Sequence, residues 1–140
     1  MEIRELRLSD YKQFIELCSV FRETKVTEEE FKNIYYVRRM RDCKTFVGIV
    51  VDEIVATHTV LCETKFINSG GKVAHFEDLI VHPDYRKHGI GESMLENSIK
   101  YAKDEKCYKA IYSCSKKMIK YYERILKGYP VEVAMRSYFG

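Results

Sequence analysis

The hydrophobic and polar positions of the first 40 residues predict a short strand and two amphipathic helices. Apolar side chains at positions 3, 6 and 8 indicate the strand. Ser9-Asp10 offers a helix cap, and apolar residues then recur at helical spacing as far as Cys18. Thr27 and Glu30 have the spacing of a capping box, which predicts that a second helix begins here.

After residue 45 the pattern changes to that of a sheet. Two β-branched runs, at 46–51 and 54–61, flank Asp52-Glu53 and predict a tight antiparallel hairpin. The remaining elements are predicted in the order strand (about 73–81), helix (91–106), strand (109–114), helix (about 115–126) and terminal strand (131–139). The predicted order is β-α-α-β-β-β-α-β-α-β, an α/β arrangement around one mixed sheet in a single domain, residues 1–140.

Composition excludes some classes of protein. With 46% hydrophobic and 32% charged residues, the chain has the composition of an ordinary globular protein. Its net charge of +3 is far from that of a nucleic-acid binder, so we expect no nucleic-acid partner. No apolar run approaches the roughly 20 residues that span a bilayer, and the charged N-terminus does not resemble a secretory signal. We therefore expect a cytoplasmic protein without a membrane partner.

The cysteines and histidines indicate neither disulfides nor a metal site. The five cysteines are odd in number and form no CxxC pair, and the four histidines lack the spacing of metal ligands. Without an export signal, reduced core thiols are the better interpretation of the cysteines. We expect no bound metal.

The most informative segment lies between the fourth predicted strand, at about 73–81, and the helix that follows it. Pro83 stops the strand, and Gly89 and Gly91 let the backbone turn tightly and approach a ligand without a Cβ in the way. The first amides of the helix lack intrahelical partners, so they form an anion site together with the nearby basic residues. The simpler alternative is a strand-to-helix turn with solvated basic side chains, since neither GxGxxG nor a Walker A sequence is present.

In its context this loop resembles the pyrophosphate loop of the GNAT acetyltransferase superfamily. The shared features are Arg-x-x-Gly-x-Gly at 86–91, a preceding strand that contains Asp-Leu-Ile-Val, and a following helix. The resemblance implies that the loop holds the pyrophosphate of acetyl-CoA while the strand pairs with the pantetheine arm. The cofactor-binding residues it implies are Leu79, Ile80, Val81, Arg86, Lys87, His88, Gly89, Ile90 and Gly91.

The GNAT resemblance also implies a proton donor on the penultimate helix. Amine attack on a thioester needs aligned reactants, a stabilised oxyanion and a proton for the departing thiolate. A phenol with a pKa near 10 can supply that proton. Tyr121-Tyr122-Glu123 lies where GNAT enzymes carry a Phe/Tyr-Tyr-Glu motif, which assigns the catalytic role to Tyr122. The alternative is that Tyr122 is a packing aromatic.

Two further blocks resemble the glucosamine 6-phosphate N-acetyltransferase family. Residues 65–78 are similar to its K-F-I-H-x-x-G-x-x-G-H-I/V-E-D pattern, and residues 107–114 are similar to its C-Y-K-I-x-L-D/E-C strand. With the Tyr-Tyr-Glu motif, the likeness covers roughly residues 45 to 140. The resemblance implies acetylation of glucosamine 6-phosphate, for UDP-N-acetylglucosamine synthesis, by a homodimer whose last strand crosses to the partner and completes a shared active site.

This family resemblance also implies substrate contacts. Glu77 and Asp78 would lie beside the sugar and its amine, although a Glu-Asp pair could instead protect an edge strand. His75 is better interpreted as a hydrogen-bonded strand residue than as a catalytic one. A basic residue before the fourth predicted strand suits a phosphate. The remaining substrate contacts implied are Lys65, Phe66, Ile67, Asn68, Ser113 and Arg136.

The chain departs from the family pattern at four positions. Ser113 replaces an acidic residue that helps to place the amine, Asn68 replaces a histidine, and Met118 replaces an asparagine that often contacts CoA. The terminal arginine aligns at Arg136 or nearer Tyr138. These changes keep two alternatives open. One is a GNAT enzyme for another small amine or a protein amine, and the other is an acyl-CoA-binding sensor without catalytic activity.

Overall fold

The computed structural model describes residues 1–140 and is built around one five-stranded mixed sheet. The strands are adjacent in the order of the sequence. The pairs β1–β2, β2–β3 and β3–β4 are antiparallel, whereas the pair β4–β5 is parallel. This confirms the predicted mixed α/β sheet. The strands are β1 (Glu2–Glu5), β2 (Cys43–Val50), β3 (Glu53–Thr64), β4 (Lys72–Val81) and β5 (Cys107–Ile111).

Helices cover both faces of the sheet: α1 (Tyr11–Phe21), α2 (Glu28–Met40), the left-handed turn α3 (Ile67–Gly70), α4 (Ile90–Asp104) and α5 (Ile119–Leu126). Side chains of α1 and α2, among them Leu17 and Phe31, share a buried cluster with Val47 and Ile80 of the sheet. On the other face Met94 of α4 packs against β3. None of the helices combines the length and apolar character needed to cross a membrane.

One of the two predicted helix caps is confirmed. The Thr27 hydroxyl accepts a hydrogen bond from the Glu30 amide at 3.2 Å, and the Glu30 carboxylate accepts one from the Thr27 amide at 2.8 Å. The predicted cap of α1 was wrong. Asp10 instead accepts hydrogen bonds from the Arg4 guanidinium at 2.8 and 2.9 Å, which fixes the end of β1 against the start of α1. Its Oδ2 also accepts from the Arg7 amide at 2.7 Å, so the carboxylate caps the short turn at Leu8–Asp10 instead of α1.

Strand β4 has two irregularities that matter for the site. The register with β3 shifts between Thr57 and Thr59, and Asp78 has a φ of 52° in the resulting bulge. Bulges re-aim side chains, and here the bulge lies at the middle of the sheet. The pairing with β5 ends at His75 opposite Ile111, so β4 continues to Val81 with no strand on that edge.

The predicted strand at residues 131–139 is not formed within the chain. No residue beyond Gly128 takes part in a helix or strand, and none makes any of the loop or turn backbone hydrogen bonds. Val131, Val133 and Met135 alternate with other residues but are 73%, 88% and 93% exposed. An alternating pattern becomes a strand only where another strand pairs with it. None of the five strands of this sheet pairs with residues 131–139. The sheet therefore has five strands and not six.

Candidate active site

The loop between β4 and α4 borders a groove of about 390 Å³. Gly89 is the residue before α4 and has a φ of +77°, which favours glycine. Ser93 donates to the Gly89 carbonyl at 3.0 Å as the first bond of the helix, so the amides of residues 90–92 have no acceptor in the helix. The groove is lined by Val81, Tyr85, Arg86, Lys87, Gly89, Ile90, Gly91, Glu92, Met118, Tyr121 and Arg124.

The space and charge of this groove suit a diphosphate. No atom lies within 4 Å of the position that a Cβ of Gly89 would occupy, so a ligand can approach the backbone there. Lys87 is exposed and has no ion-pair partner, while Arg86 donates to the Val81 carbonyl at 3.0 Å and Arg124 pairs with Glu92 at 3.3 Å. Helix amides together with cations are the common arrangement for binding phosphate. The residues present therefore fit the predicted pyrophosphate loop.

The structure divides the predicted cofactor-binding residues into three groups. Six of them line the groove: Val81, Arg86, Lys87, Gly89, Ile90 and Gly91. Leu79 packs with the cluster beneath α4, and its side chain would lie 3.9 Å from a Cβ at Gly91. Ile80 and His88 do not line the groove. Ile80 is buried on the opposite face of the sheet, and the His88 side chain is exposed to solvent.

Tyr122 lies on α5, and one intervening aromatic ring connects it to β4. Its ring centroid is 5.5 Å from that of Tyr112, which stacks at 6.2 Å on Phe76, the first β4 residue beyond the pairing with β5. Burial is the main cause that raises the pKa of Tyr122 above its usual value. Its hydroxyl has no hydrogen-bond partner within the chain. The structure therefore contains an unpaired, protonated phenol that two aromatic contacts connect to the point where β4 and β5 separate.

A second, larger cavity of about 640 Å³ lies on the other face of the sheet, under α1 and α2. Asp78 and Ile80 of β4 line it, together with Arg136 and Tyr138 from the C-terminal segment. Glu77 is exposed and is not part of the lining. The cavity therefore joins two predicted substrate residues that are 58 positions apart in the sequence.

Three arginines that the sequence analysis missed, Arg22, Arg38 and Arg39, add to the positive charge of this cavity. Its lining includes four arginines (Arg22, Arg38, Arg39 and Arg136) and only two carboxylates (Glu5 and Asp78). Glu5 pairs with Lys44 at 3.0 Å and lies 3.9 Å from Arg39, which leaves three arginines and one carboxylate. The signal for Arg38 was its position, since it lies on the same helix face as the apolar residues Phe31 and Tyr35.

The residues before β4 lie far from this cavity within the chain. Lys65 pairs with Glu63 at 2.8 Å, and Phe66, Ile67 and Asn68 are exposed on and beside α3. At about 3.3 Å per residue, the start of β4 is roughly 20 Å from Asp78. Ser113 is exposed after β5 and also lines neither cavity. The structure does not bring these predicted substrate contacts together with Asp78 in one subunit.

Two other predictions from the sequence concern side chains near the site. His75 lies on β4 with its Nε2 2.9 Å from a Glu63 carboxylate oxygen, which confirms it as a hydrogen-bonded strand residue. All five cysteines are free thiols, and the Sγ atoms of Cys62 and Cys107 approach to 3.6 Å. No group of three or more potential metal ligands comes together.

Comparison with known proteins agrees with this geometry. The model of the acetyltransferase (GNAT) family matches residues 3–127. Glucosamine 6-phosphate N-acetyltransferase of Trypanosoma brucei brucei is 30% identical over 128 residues, which cover 89% of this chain and 87% of the relative. The Arabidopsis thaliana enzyme of that name is 33% identical over 129 residues, 88% of this chain and 87% of the relative.

The likeness extends to the three-dimensional structure. The crystal structure of the Arabidopsis thaliana glucosamine-6-phosphate N-acetyltransferase superposes with a TM-score of 0.91 at 32% identity, covering 99% of this chain and 98% of that chain. A family match over most of the chain, with the expected loop and strand edge in place, settles the family. The chain belongs to the acetyltransferase (GNAT) family.

Proposed function

We propose that this protein transfers the acetyl group of acetyl-CoA to the 2-amino group of glucosamine 6-phosphate. The observation that carries the proposal is that two cavities of different character meet at one strand. Val81 of β4 lines the groove of the anion-binding loop, and Asp78 and Ile80, one to three residues away, line the arginine-rich cavity. A donor on one side and an acceptor on the other would meet at the bulge of β4.

The donor would be held by the backbone. The amides at the start of α4 and the side chains of Arg86 and Lys87 would bind the diphosphate. The free edge of β4 between Phe76 and Val81 offers main-chain groups to an extended amide-containing arm, as a sheet edge does to an added strand. Acetyl-CoA supplies an activated acyl group as a thioester. The groove needs no metal for this function.

The acceptor would lie in the cavity under α1 and α2. Asp78 is the carboxylate suited to an ammonium or hydroxyl group, and the arginines favour an anionic substrate over a neutral one. Glu77, next to it at the bulge, would accept hydrogen bonds from the sugar. The names of the relatives, which state glucosamine 6-phosphate as their substrate, agree with a small acceptor that carries both an amine and an anion.

In the chemical step, the chain would contribute placement and one proton. The acceptor ammonium would release one proton to solvent while Asp78 holds it in position, and the free amine would then bond to the thioester carbonyl carbon. The Tyr122 hydroxyl would donate its proton to the departing sulfur, and its raised pKa keeps the phenol protonated at neutral pH. The nitrogen would release its second proton to solvent as the carbon–sulfur bond breaks, and the Tyr122 phenolate would regain its proton from solvent. Amide groups exposed by the bulge would stabilise the oxyanion.

The active form would be a homodimer. Lys65 to Asn68 and Ser113 lie outside the cavity of their own subunit, and the terminal residues 131–139 have a strand pattern without a pairing strand. Exchange of the C-terminal segment between two subunits would pair these residues and would bring the α3 turn of one subunit towards the cavity of the other. Lys65 and Arg136 would then contact the phosphate together.

A thiol-release assay with acetyl-CoA and a panel of amines tests the proposal. We expect rapid CoA release with glucosamine 6-phosphate and little with glucosamine, spermidine, free amino acids or a peptide amine. A preference for another amine would assign the chain to a different acetyltransferase. Release with none of them, on protein that binds acetyl-CoA, would favour a sensor, for which Met118 in the groove and the uncharged Ser113 are the supporting features.

A further inference from the structure

Arg38 is held in a fixed position at the floor of the arginine-rich cavity. It lies on α2, half-buried, and its Nη2 donates to the hydroxyls of Thr45 and Thr59 at 2.9 Å each. The two threonines come from adjacent strands, β2 and β3, and are only 8% and 6% exposed. Two buried acceptors on rigid strands therefore orient the guanidinium towards the sheet before any ligand arrives.

The charge of Arg38 is not neutralised within the chain. Arg4 pairs with Asp10, Arg39 lies near Glu5, and Arg124 pairs with Glu92, whereas no carboxylate oxygen lies within ion-pair distance of Arg38. Its Nε and Nη1 make no hydrogen bond, although they could donate three. A half-buried cation without a counter-charge is costly. An anion that enters the cavity would supply both the charge and the missing acceptors.

The position of Arg38 relates it to the reacting end of the acceptor. Thr59 pairs with Glu77 of β4, the residue before Asp78, and neighbouring strands are about 4.8 Å apart. Arg38 and Asp78 also both act on the thiols of Cys18 and Cys43, with opposite effects on their pKa values. Arg38 and Asp78 therefore line the same cavity without forming an ion pair. This separation leaves Arg38 free for the anionic end of a ligand and Asp78 free for its ammonium end.

We infer that Arg38 is the specificity-determining residue that binds the phosphate group of the acceptor within the same subunit. This inference rests on the proposed function, because it assigns the phosphate of that substrate to a particular side chain. Arg22 and Arg136 are both exposed in the lining. Arg136 contacts the phosphate from the rim, and Arg38 binds it from inside the cavity through the donors that Thr45 and Thr59 leave free. A planar guanidinium offers a bidentate contact that a lysine cannot reproduce.

The test compares wild type, Arg38→Gln and Arg38→Lys with Arg41→Gln as the matched control. Arg41 is an exposed arginine at the end of α2 that lines neither cavity. For Arg38→Gln we expect the kcat/KM ratio of glucosamine 6-phosphate to glucosamine to fall about tenfold or more, through a raised KM for the phosphorylated sugar. Arg38→Lys should recover part of the ratio, and Arg41→Gln should leave it unchanged.

A binding measurement separates this inference from the proposed function. Glucose 6-phosphate lacks the amine, so its binding by calorimetry, compared with that of glucose, reports only the recognition of the phosphate. We expect wild type to bind it and Arg38→Gln to bind it about tenfold more weakly or worse. If wild type acetylates no amino sugar yet shows this dependence on Arg38, the proposed function fails and the inference stands.

Two outcomes would overturn the inference. One is an unchanged preference for the phosphorylated sugar in Arg38→Gln while wild type remains an active acetyltransferase. The other is an equal loss of kcat/KM with both sugars together with a lower melting temperature, which would show that Arg38 only supports the packing of α2 on the sheet. Circular dichroism of each variant establishes whether it has folded, and Arg38→Lys gives the same comparison if Arg38→Gln does not fold.

Discussion

At the scale of single residues, the environment of Tyr122 supports its proposed role as the proton donor among the eleven tyrosines of the chain. Its ring packs between Tyr112 and Tyr121, yet its hydroxyl makes no hydrogen bond within the chain. Partial burial favours the neutral phenol and raises its pKa. The sequence motif predicted this residue, and the structure connects its ring through Tyr112 to Phe76 of β4.

Tyr122→Phe should lower kcat about 100-fold or more, because the variant keeps the ring and loses the donor. The affinity for acetyl-CoA, measured by calorimetry, should change little. Tyr121→Phe is the informative comparison, since its ring lies 5.3 Å from that of Tyr122 and its hydroxyl reaches the groove. A large loss of kcat in Tyr121→Phe with normal turnover in Tyr122→Phe would show that Tyr121, and not Tyr122, donates the proton.

The raised pKa of Tyr122 also predicts the shape of the pH–rate profile. Since the phenol stays protonated beyond its usual pKa of about 10, kcat should rise as the acceptor amine loses its proton and should not fall again below about pH 10. Steady-state rates at saturating substrates between pH 6 and pH 10 provide the measurement. A falling limb near pH 8 in wild type that disappears in Tyr122→Phe would contradict this expectation.

At the scale of elements, the junction of β4 with α4 was largely predictable, and the α1–α2 face was not. Gly89 and Gly91 carry local information about the backbone, so the loop could be identified from the sequence. The cavity under α1 and α2 depends on how the helices pack across the sheet. Arg38 and Asp78 come from elements that contact only through this packing, and no local pattern relates them.

Gly89→Val should weaken the binding of CoA at least about tenfold, because a branched side chain is strained at a φ of +77° and would project into the groove. Gly70→Val is the matched control, since Gly70 also has a φ of +77° but lies in α3, away from the groove. Both variants should lose some stability, and only Gly89→Val should lose affinity in a calorimetric titration. Equal affinities would show that the loop backbone does not contact the ligand.

The contact between β3 and α4 gives the protein a pH-dependent stability. His58 Nδ1 lies 2.7 Å from the Ser98 hydroxyl in the core, and burial lowers the pKa of His58 from 6.5 to about 4. The unfolded chain therefore binds a proton at higher pH than the folded one. The stabilisation is complete above pH 6.5 and is lost as the pH falls towards 4.

Urea unfolding at pH 7 and pH 5 measures this effect. The lowered pKa of His58 implies a total change of about 3 kcal/mol in the free energy of unfolding. Wild type should lose part of this free energy between pH 7 and pH 5. His58→Gln, which cannot titrate, should be less stable at pH 7 but should show a smaller difference between the two pH values. An equal pH dependence in both proteins would exclude His58 as its source.

At the scale of the whole molecule, the C-terminal segment shows where prediction from one chain reaches its limit. The alternation of Val131, Val133 and Met135 predicted a strand that the structure does not contain, because the chain itself provides no strand for this segment to pair with. The five-stranded sheet could be predicted because each strand pairs with the next one along the chain, across a short turn, one helix or, for β1 and β2, two helices. A sixth strand would depend on a second copy of the chain.

We expect the full-length protein to sediment as a dimer at micromolar concentration. Deletion of residues 129–140 should yield a folded monomer with little activity, because it removes the exposed apolar segment and Arg136 from the cavity. Analytical ultracentrifugation of both proteins, with a thiol-release assay on each, provides the measurement. A monomeric full-length protein with full activity would contradict the shared active site.

The most direct test of the account is to identify the product formed from acetyl-CoA and glucosamine 6-phosphate by NMR. We predict that N-acetylglucosamine 6-phosphate accumulates, with one free CoA thiol for each acetylated sugar, and that wild type converts the phosphorylated sugar far faster than glucosamine. If folded protein that binds acetyl-CoA leaves glucosamine 6-phosphate unmodified, the assignment of its acceptor is wrong.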